Sequence, residues 1–413
     1  MYLCAIIFCM DNYQENQIMC ECGKTHQIGT QNIIVGGKAI SFFLESMKKN
    51  RYKKVLIISD DNYPFVGTTI KTLKSVGKEV FNIVVEKQKA TLKKAEDIED
   101  YGQDLVVAVG GEEVISESKY YCYSLDCPII IVALNNFIDF TFSKFSRLYD
   151  GVQFEVYETV NPIEVYVPEQ TLDFTSLQSY YLASKYIAVF DALMSEMVYK
   201  KVGCRRQKDF LKQTLSDYIK YKPKEKKDMW ERNVWTLIRL GQAMSFYNST
   251  ICFCGGDYVV SSLMQAQCAK ADFLEMNTIS LKLIINAYSC FFEKIVTTSR
   301  CNINKQIQEI SRLLKISPTE TLKRIYGASL ISYDKDIEKA LGNYAPYLKG
   351  VLKKCLSKIF MITSSINYPI NVLKKYNFNA NRVEKSFALS PCLSKLPTTL
   401  HLIASFGYSD KLL

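Results

Sequence analysis

Between residues 32 and 167 short apolar runs alternate with stretches of helical periodicity. Residues 32–36 read as a short strand stopped by Gly36 and Gly37, and a helix is predicted over 39–49. The run 54–59, KVLIIS, is continuously apolar, the pattern of a strand covered on both faces of a parallel sheet. Further strands are predicted over 80–85, 104–109, 128–133 and 163–167, with helices over 66–76, 91–100 and 112–125. This alternation predicts an α/β domain: a doubly wound, mostly parallel, Rossmann-like sheet with right-handed crossovers. Ligands of such sheets bind beyond the carboxyl ends of the strands, which directs attention to Asp60, to Gly110 onward and to the residues after Ala133.

From about residue 174 the strand runs disappear. Amphipathic patterns cover 174–200, 205–220, 228–247, 257–271, 276–297, 303–314, 318–326 and 335–360, predicting an all-α second domain. The change falls near 168–174, where Pro168 ends a strand, so the expected domains are 1–170 and 171–413. No internal repeat or low-complexity segment is visible.

Composition narrows the picture. A chain of 413 residues with 48% hydrophobic and 23% charged residues has enough apolar material for two cores, which excludes disorder over most of its length. The net charge of +10 is spread along the chain. Its densest cluster, Lys220, Lys222, Lys224, Lys226 and Lys227, lacks the interleaved aromatics of a base-stacking surface and reads as a solvated loop, so no nucleic-acid partner is expected. The 14 cysteines show no regular disulfide spacing and several lie in apolar runs, as in a reducing, cytoplasmic setting. The apolar stretch Met1 to Met10 is too short to span a bilayer and lacks the basic start of a signal peptide, so no membrane insertion is expected.

Four motifs occur in order. They are Cys20-Glu-Cys22-Gly-Lys-Thr-His26; Ser59-Asp60-Asp61-Asn62; Ala108-Val-Gly-Gly-Glu-Glu-Val-Ile-Ser116; and Gly241-Gln-Ala-Met-Ser-Phe246 leading into Cys254-Gly-Gly-Asp-Tyr-Val-Val-Ser-Ser262. Their order and spacing resemble the sn-glycerol-1-phosphate dehydrogenase family, a branch of the dehydroquinate synthase-like group that includes iron-dependent alcohol dehydrogenases. That family reads C-x-C-G-x-x-H, D-x-N, A-V-G-S-G-T-I-N-D, and G-x-A-M-S-x with S-G-S-E-H-x-x-S-H at the matching places. The resemblance implies a dinucleotide-binding α/β domain, a helical metal-binding domain, and NAD(P)H-dependent reduction of dihydroxyacetone phosphate to glycerol 1-phosphate.

Carried over residue by residue, the resemblance implies Gly110, Gly111 and Glu112 at the pyrophosphate loop, Asp60 at the adenosine ribose and Ser143 at the cofactor. Glu112 replaces a family glycine and Glu113 follows it; two carboxylates would repel a pyrophosphate unless they turn away toward solvent. Ser116 replaces the aspartate that ends this motif. In the companion loop, family T-A-P-S-M-D-G, only Asp139 survives. The implied metal ligands, one aspartate and two histidines, fall on Asp191, Tyr258 and Glu275, and the substrate histidine falls on Ser262. Asp139, Asp191 and Ser262 are therefore the aligned catalytic positions. Asp257 keeps a family carboxylate.

The chain has two histidines, His26 and His401, and neither lies on the metal motif. An all-oxygen set suits magnesium, calcium or manganese better than zinc or nickel, and a phenol is a poor ligand near neutral pH, so loss of the divalent metal is expected. Cys20, Cys22 and His26 supply three of the four ligands of a structural zinc site with no evident fourth, which points to a structural or neutral role. Three functional readings stay open. One is a divergent oxidoreductase acting on a small phosphorylated ketone or polyol. Another is an inactive relative that binds a ligand or another subunit. The third, a basic protein that binds nucleic acid, is disfavoured by the scattered charge. A homo-oligomer is a candidate assembly under the first two.

Overall fold

The computed structural model describes residues 17–405 apart from 24, 28, 31, 87, 170–174, 202–203, 269, 294–302, 325–334, 365, 367–370 and 395–396. The apolar start at Met1 to Met10 and part of the expected domain boundary lie outside the described residues. The strands are β1 Gln17–Met19, β2 Thr25–Gln27, β3 Asn32–Val35, β4 Lys54–Ser59, β5 Glu79–Val84, β6 Leu105–Gly110, β7 Ile129–Ala133, β8 Phe145–Tyr149, β9 Phe154–Glu158 and β10 Glu164–Val167. The helices are α1 Ala39–Lys49, α2 Pro64–Ser75, α3 Leu92–Glu96, α4 Glu112–Leu125, α5 Thr175–Val198, α6 Arg205–Lys220, α7 Lys226–Tyr247, α8 Gly256–Ala266, α9 Phe273–Glu293, α10 Ile303–Leu314, α11 Pro318–Arg324, α12 Lys335–Thr363, α13 Val372–Lys375, α14 Ala380–Leu393 and α15 Thr399–Ser405.

Six strands form one parallel sheet in the order β3-β10-β7-β6-β4-β5. The central strands β6 and β7 are buried at every residue, which is why they read as unbroken apolar runs. Edge strand β5 is never fully buried, so its sequence is mixed. Val55, Ile57, Val107, Val109, Ile130 and Val132 pack on one face against Phe43 and Met47 of α1 and Leu73 of α2. The parallel α/β sheet and the helical second region are as the periodicity predicts.

Two antiparallel hairpins, β1–β2 and β8–β9, escape the sequence pattern. In β8–β9 the buried positions include Ser146, Arg147 and Gln153, and the Arg147 guanidinium lies 3.9 Å from the Phe154 ring centroid. Phe145, Leu148 and Phe154 are buried beside them, and burial of consecutive polar and apolar residues leaves no alternating signal to read. Helix α3 covers only five residues of the expected 91–100, held at its start by the Thr91 hydroxyl, which accepts from the Lys94 N–H.

The chain divides into two compact units, residues 1–175 with 223–249, and residues 176–222 with 250–413. This differs from the expected 1–170 and 171–413, because α7 packs with the α/β unit. The motif Gly241-Gln-Ala-Met-Ser245 is the reason. A Cβ at Gly241 would lie 2.2 Å from the Asp139 carbonyl oxygen and 2.7 Å from Phe142 Cβ. Gln242 Nε2 donates to the Thr30 carbonyl (2.9 Å), Ser245 Oγ accepts from the Lys144 N–H (2.8 Å), and Ser245 donates to Asn161 Oδ1 (2.8 Å). The motif is thus a packing seam.

The helical unit has its own core, in which Leu263, Ile310, Leu389, Cys392, Leu393 and Ala404 cluster. Lys220 ends α6, Lys222 and Lys224 lie in the connection that follows, and Lys226 and Lys227 open α7. Lys227 pairs with Glu169 at 2.8 Å, and Glu225 and Asp228 close a reciprocal cap at the start of α7. No helix among the described residues is long and apolar enough to cross a membrane.

Two glycines separate packing from propensity. Gly67 lies within α2 with nothing within 4 Å of an added Cβ. Gly67→Ala should raise stability by about 0.5–1 kcal/mol, the backbone-entropy gain of removing a helical glycine. Gly241→Ala should lower it by roughly 1–3 kcal/mol, because the helix must move off the Asp139 turn. Urea unfolding of both variants checks this, and a Gly241→Ala protein as stable as wild type would remove the seam argument.

Candidate functional site

In the α/β unit the carboxyl ends of β4, β6 and β7 bring three loops together. Asp60 follows β4, Gly110 ends β6, and Asn135 and Asn136 follow β7. One Asp60 oxygen accepts the Gly111 N–H (2.9 Å) and the other accepts the Tyr63 hydroxyl (2.5 Å), which itself accepts from Asn135 Nδ2 (2.9 Å). Gly110 has φ +144°, a backbone region that favours glycine, and a Cβ there would lie 2.4 Å from Asp60 Cγ. A Cβ at Gly111 would lie 2.2 Å from Asn136 Oδ1. The space that a glycine-rich turn opens is therefore taken by the protein's own Asp60 and Asn136, and one loop N–H is already bonded.

Glu112 does not sit beside this loop as a solvent-facing repulsive charge. It turns into the interior, 4% exposed, where its carboxylate accepts the hydroxyls of Ser116 (2.9 Å) and Thr141 (3.2 Å). Burial drives its pKa upward, and the buried Lys119 ammonium pulls the other way. Lys119 donates to the carbonyls of Phe140 (2.9 Å) and Phe145. Ser116 and Glu112 are one helical turn apart, so a carboxylate stands one turn before the place where the resembled family has its aspartate. Glu113 lies near Asn136 Nδ2 at 3.4 Å. Asp139 is fully buried in a 3-10 turn. Ser143 is buried too. Its hydroxyl donates to the Phe140 carbonyl (3.0 Å) and accepts the Phe145 N–H (3.1 Å), so it closes a turn inside the unit.

In the helical unit Asp191 of α5 is 2% exposed and surrounded by donors. Its Oδ1 accepts the Thr399 N–H (2.9 Å) and the Thr399 hydroxyl (2.7 Å). Its Oδ2 accepts the Gly256 N–H (2.8 Å) and the Tyr288 hydroxyl (2.9 Å). A carboxylate offers about four lone-pair directions, and all four are used. Burial raises its pKa to about 6, against the opposing pull of those hydrogen bonds. Gly256 is needed here because a Cβ would lie 2.3 Å from the Tyr288 hydroxyl.

The other aligned metal positions have different surroundings. The Glu275 carboxylate, on α9, is bonded by Lys375 Nζ (2.9 and 3.0 Å) and by the Tyr376 hydroxyl (2.5 Å). Tyr258 and Ser262 lie one turn apart on α8, both buried, and the Tyr258 ring packs edge-on to Phe273 with centroids 5.7 Å apart. Among the described residues neither Asp191 nor Glu275 joins a cluster of three or more His, Cys, Asp or Glu side chains able to share one ion. Asp257 accepts Asn277 Nδ2 (2.7 Å), and burial raises its pKa. The motif reading missed Lys185, a buried cation that donates to the Tyr181 hydroxyl (2.7 Å) and the Phe253 carbonyl (2.9 Å). It also missed Tyr288 and Thr399, which carry no local signal. His401 is buried in α15, and its Nδ1 accepts the Thr398 N–H (3.1 Å).

No family model matches this sequence, and no curated protein sequence matches it. Solved structures do. An archaeal halo-thermophilic Red Sea brine pool alcohol dehydrogenase is 12% identical at TM-score 0.55, covering 94% of this chain and 98% of its own. The NADH-dependent butanol dehydrogenase A of Thermotoga maritima is 12% identical at TM-score 0.50, covering 91% and 92%. The iron-containing alcohol dehydrogenase of Corynebacterium glutamicum is 13% identical at TM-score 0.50, covering 94% and 95%. At these identities the likeness shows the fold: this chain has the architecture of iron-containing alcohol dehydrogenases.

Asp191→Ala would strand the four donors now aimed at Asp191. It should cost roughly 3 kcal/mol or more of unfolding free energy, read from urea denaturation. A protein of unchanged stability would return Asp191 to ligand duty.

His401 yields a pH prediction. Burial lowers its pKa from 6.5 to about 4, so on acidification the unfolded chain takes up the proton first. Stability from this group is complete above pH 6.5 and drains away as pH falls toward 4. Between pH 7.5 and 4.5 wild type should lose about 2–3 kcal/mol more than His401→Gln. Parallel pH curves for the two proteins would contradict it.

Proposed function

We propose that this chain is a divergent relative of the sn-glycerol-1-phosphate dehydrogenases that has kept the dehydrogenase fold and given up metal-assisted hydride transfer. It acts by binding, with a small phosphorylated ligand or a protein partner as its target. The observation that carries this reading is the saturation of Asp191. A metal ligand must keep a lone pair free or release it cheaply, and here four donors from three chain segments hold the carboxylate. Tyr258 and Ser262 stand where imidazoles would be needed, and Glu275 is paired with Lys375. The donor set does not fit a catalytic divalent ion.

The α/β unit would repel a dinucleotide less than the sequence suggests, since Glu112 is turned inward and does not face the loop. That favours a second reading, an oxidoreductase using NAD(P)H in which Asp257 and Lys185 replace metal-centred chemistry. Against it, the Gly111 N–H is already bonded to Asp60 and Asn136 fills the space above the turn.

Fluorescence titration with NADH and NADPH, followed by turnover with dihydroxyacetone phosphate, distinguishes the two readings. The binding reading expects weak cofactor affinity and no turnover, with or without added divalent metals; losing even one group that stabilises an alkoxide typically costs ~10²–10³ in rate. Micromolar affinity with ordinary turnover would establish the oxidoreductase.

A further inference from the structure

A second set of chemistry-bearing side chains stands on the β1–β2 hairpin of the α/β unit. The strands are three residues each, and β1 pairs with β2 antiparallel, with Ile18 opposite His26. Alternation along the hairpin puts Cys20, two residues beyond Ile18, on the same face as His26. The turn between the strands is tight. Gly23 has φ +76° and its N–H bonds back to the Cys20 carbonyl at 2.9 Å. That fold of the backbone carries Cys22 over the same face. The ligand atoms of Cys20, Cys22 and His26 all lie within 4.8 Å of one another.

We propose that Cys20 Sγ, Cys22 Sγ and His26 Nε2 bind one zinc ion, with the fourth tetrahedral position taken by water or a further donor. Three observations carry this. First, Cys22 Sγ and His26 Nε2 are 3.5 Å apart. Zinc–sulfur and zinc–nitrogen bonds of about 2.3 and 2.0–2.1 Å at a tetrahedral angle put their ligand atoms at about that separation. Second, the His26 ring is already oriented. It is 1% exposed, with the Phe246 ring centroid 5.3 Å away and Tyr247 edge-on at 4.9 Å. Third, all three ligands lie on one hairpin closed by the turn at Gly23, so gathering them around an ion orders little further chain. Two thiolates with an imidazole are a soft donor set that selects zinc over magnesium or calcium, in contrast with the oxygens around Asp191. Binding displaces the two thiol protons to solvent, so uptake at neutral pH releases acid.

The test uses the full chain. Wild type is loaded with zinc, desalted and assayed by elemental analysis, and separately loaded with cobalt(II) to read the thiolate-to-cobalt charge-transfer band. Cys22→Ser removes an exposed ligand, and His26→Phe removes a ligand while keeping an aromatic ring against Phe246 and Tyr247. Far-ultraviolet circular dichroism verifies that each variant folds. The expected result is one zinc per wild-type chain and a charge-transfer band of thiolate intensity. Affinity in chelator competition should fall roughly 100-fold or more in either variant, and Glu275→Gln should bind as wild type does. Absence of zinc in the loaded wild type would overturn the site, as would retention by Cys22→Ser and His26→Phe or loss in Glu275→Gln instead.

Discussion

One buried carboxylate with no spare lone pair organises the helical unit. Asp191 gathers the first N–H of α8, a hydroxyl from α9 and both donors of Thr399 at the start of α15. These segments are 65 to 208 residues away along the chain. Desolvating a carboxylate is costly unless every oxygen direction is met by a donor, and here each is. The arrangement also requires Gly256, because any side chain there would strike the Tyr288 hydroxyl. The same burial and the same four bonds that make Asp191 a good structural tie make it a poor ligand.

The α/β unit shows a comparable internal pairing of polar groups. Asp60 bonds the glycine turn and Tyr63, and so joins the ends of β4, β6 and β7. Glu112 faces Ser116 and Thr141 in the interior, with the buried Lys119 supplying compensating charge. Polar groups at the expected ligand-facing positions thus satisfy one another. A pyrophosphate at the glycine turn would have to replace existing hydrogen bonds, so its net gain there would be small even if its gross interactions were good.

The chain carries two donor sets of opposite chemical character. Around Asp191 and Glu275 the donors are hard oxygens already committed to hydroxyls, amides and an ammonium. On the first hairpin they are two thiols and an imidazole on one face. Ion selectivity follows donor softness and geometry, so these sets call for different ions and different roles. A stapled hairpin stabilises a small element of the α/β unit, whereas a catalytic metal needs an open position beside a substrate.

The sequence alone determined the six parallel strands, most helix spans and the places where the glycine turns would fall. Apolar runs at 54–59, 104–109 and 128–133 report burial on both faces, and burial is read locally along the chain. The order and spacing of the four motifs pointed to the dehydrogenase-type fold, although Gly241, Ser245 and Gly256 prove to be packing residues. The β8–β9 hairpin was illegible because Ser146 and Arg147 are buried in line with Phe145 and Leu148, which breaks the alternation of apolar and polar positions. Only the tertiary structure decided that α7 belongs with the α/β unit, that Glu112 turns inward and that Asp191 is saturated. The physical reason is the same each time. Periodicity records whether a side chain is buried, while the chemistry of a buried polar group depends on partners such as Tyr288 and Thr399, brought to it by packing from distant parts of the chain.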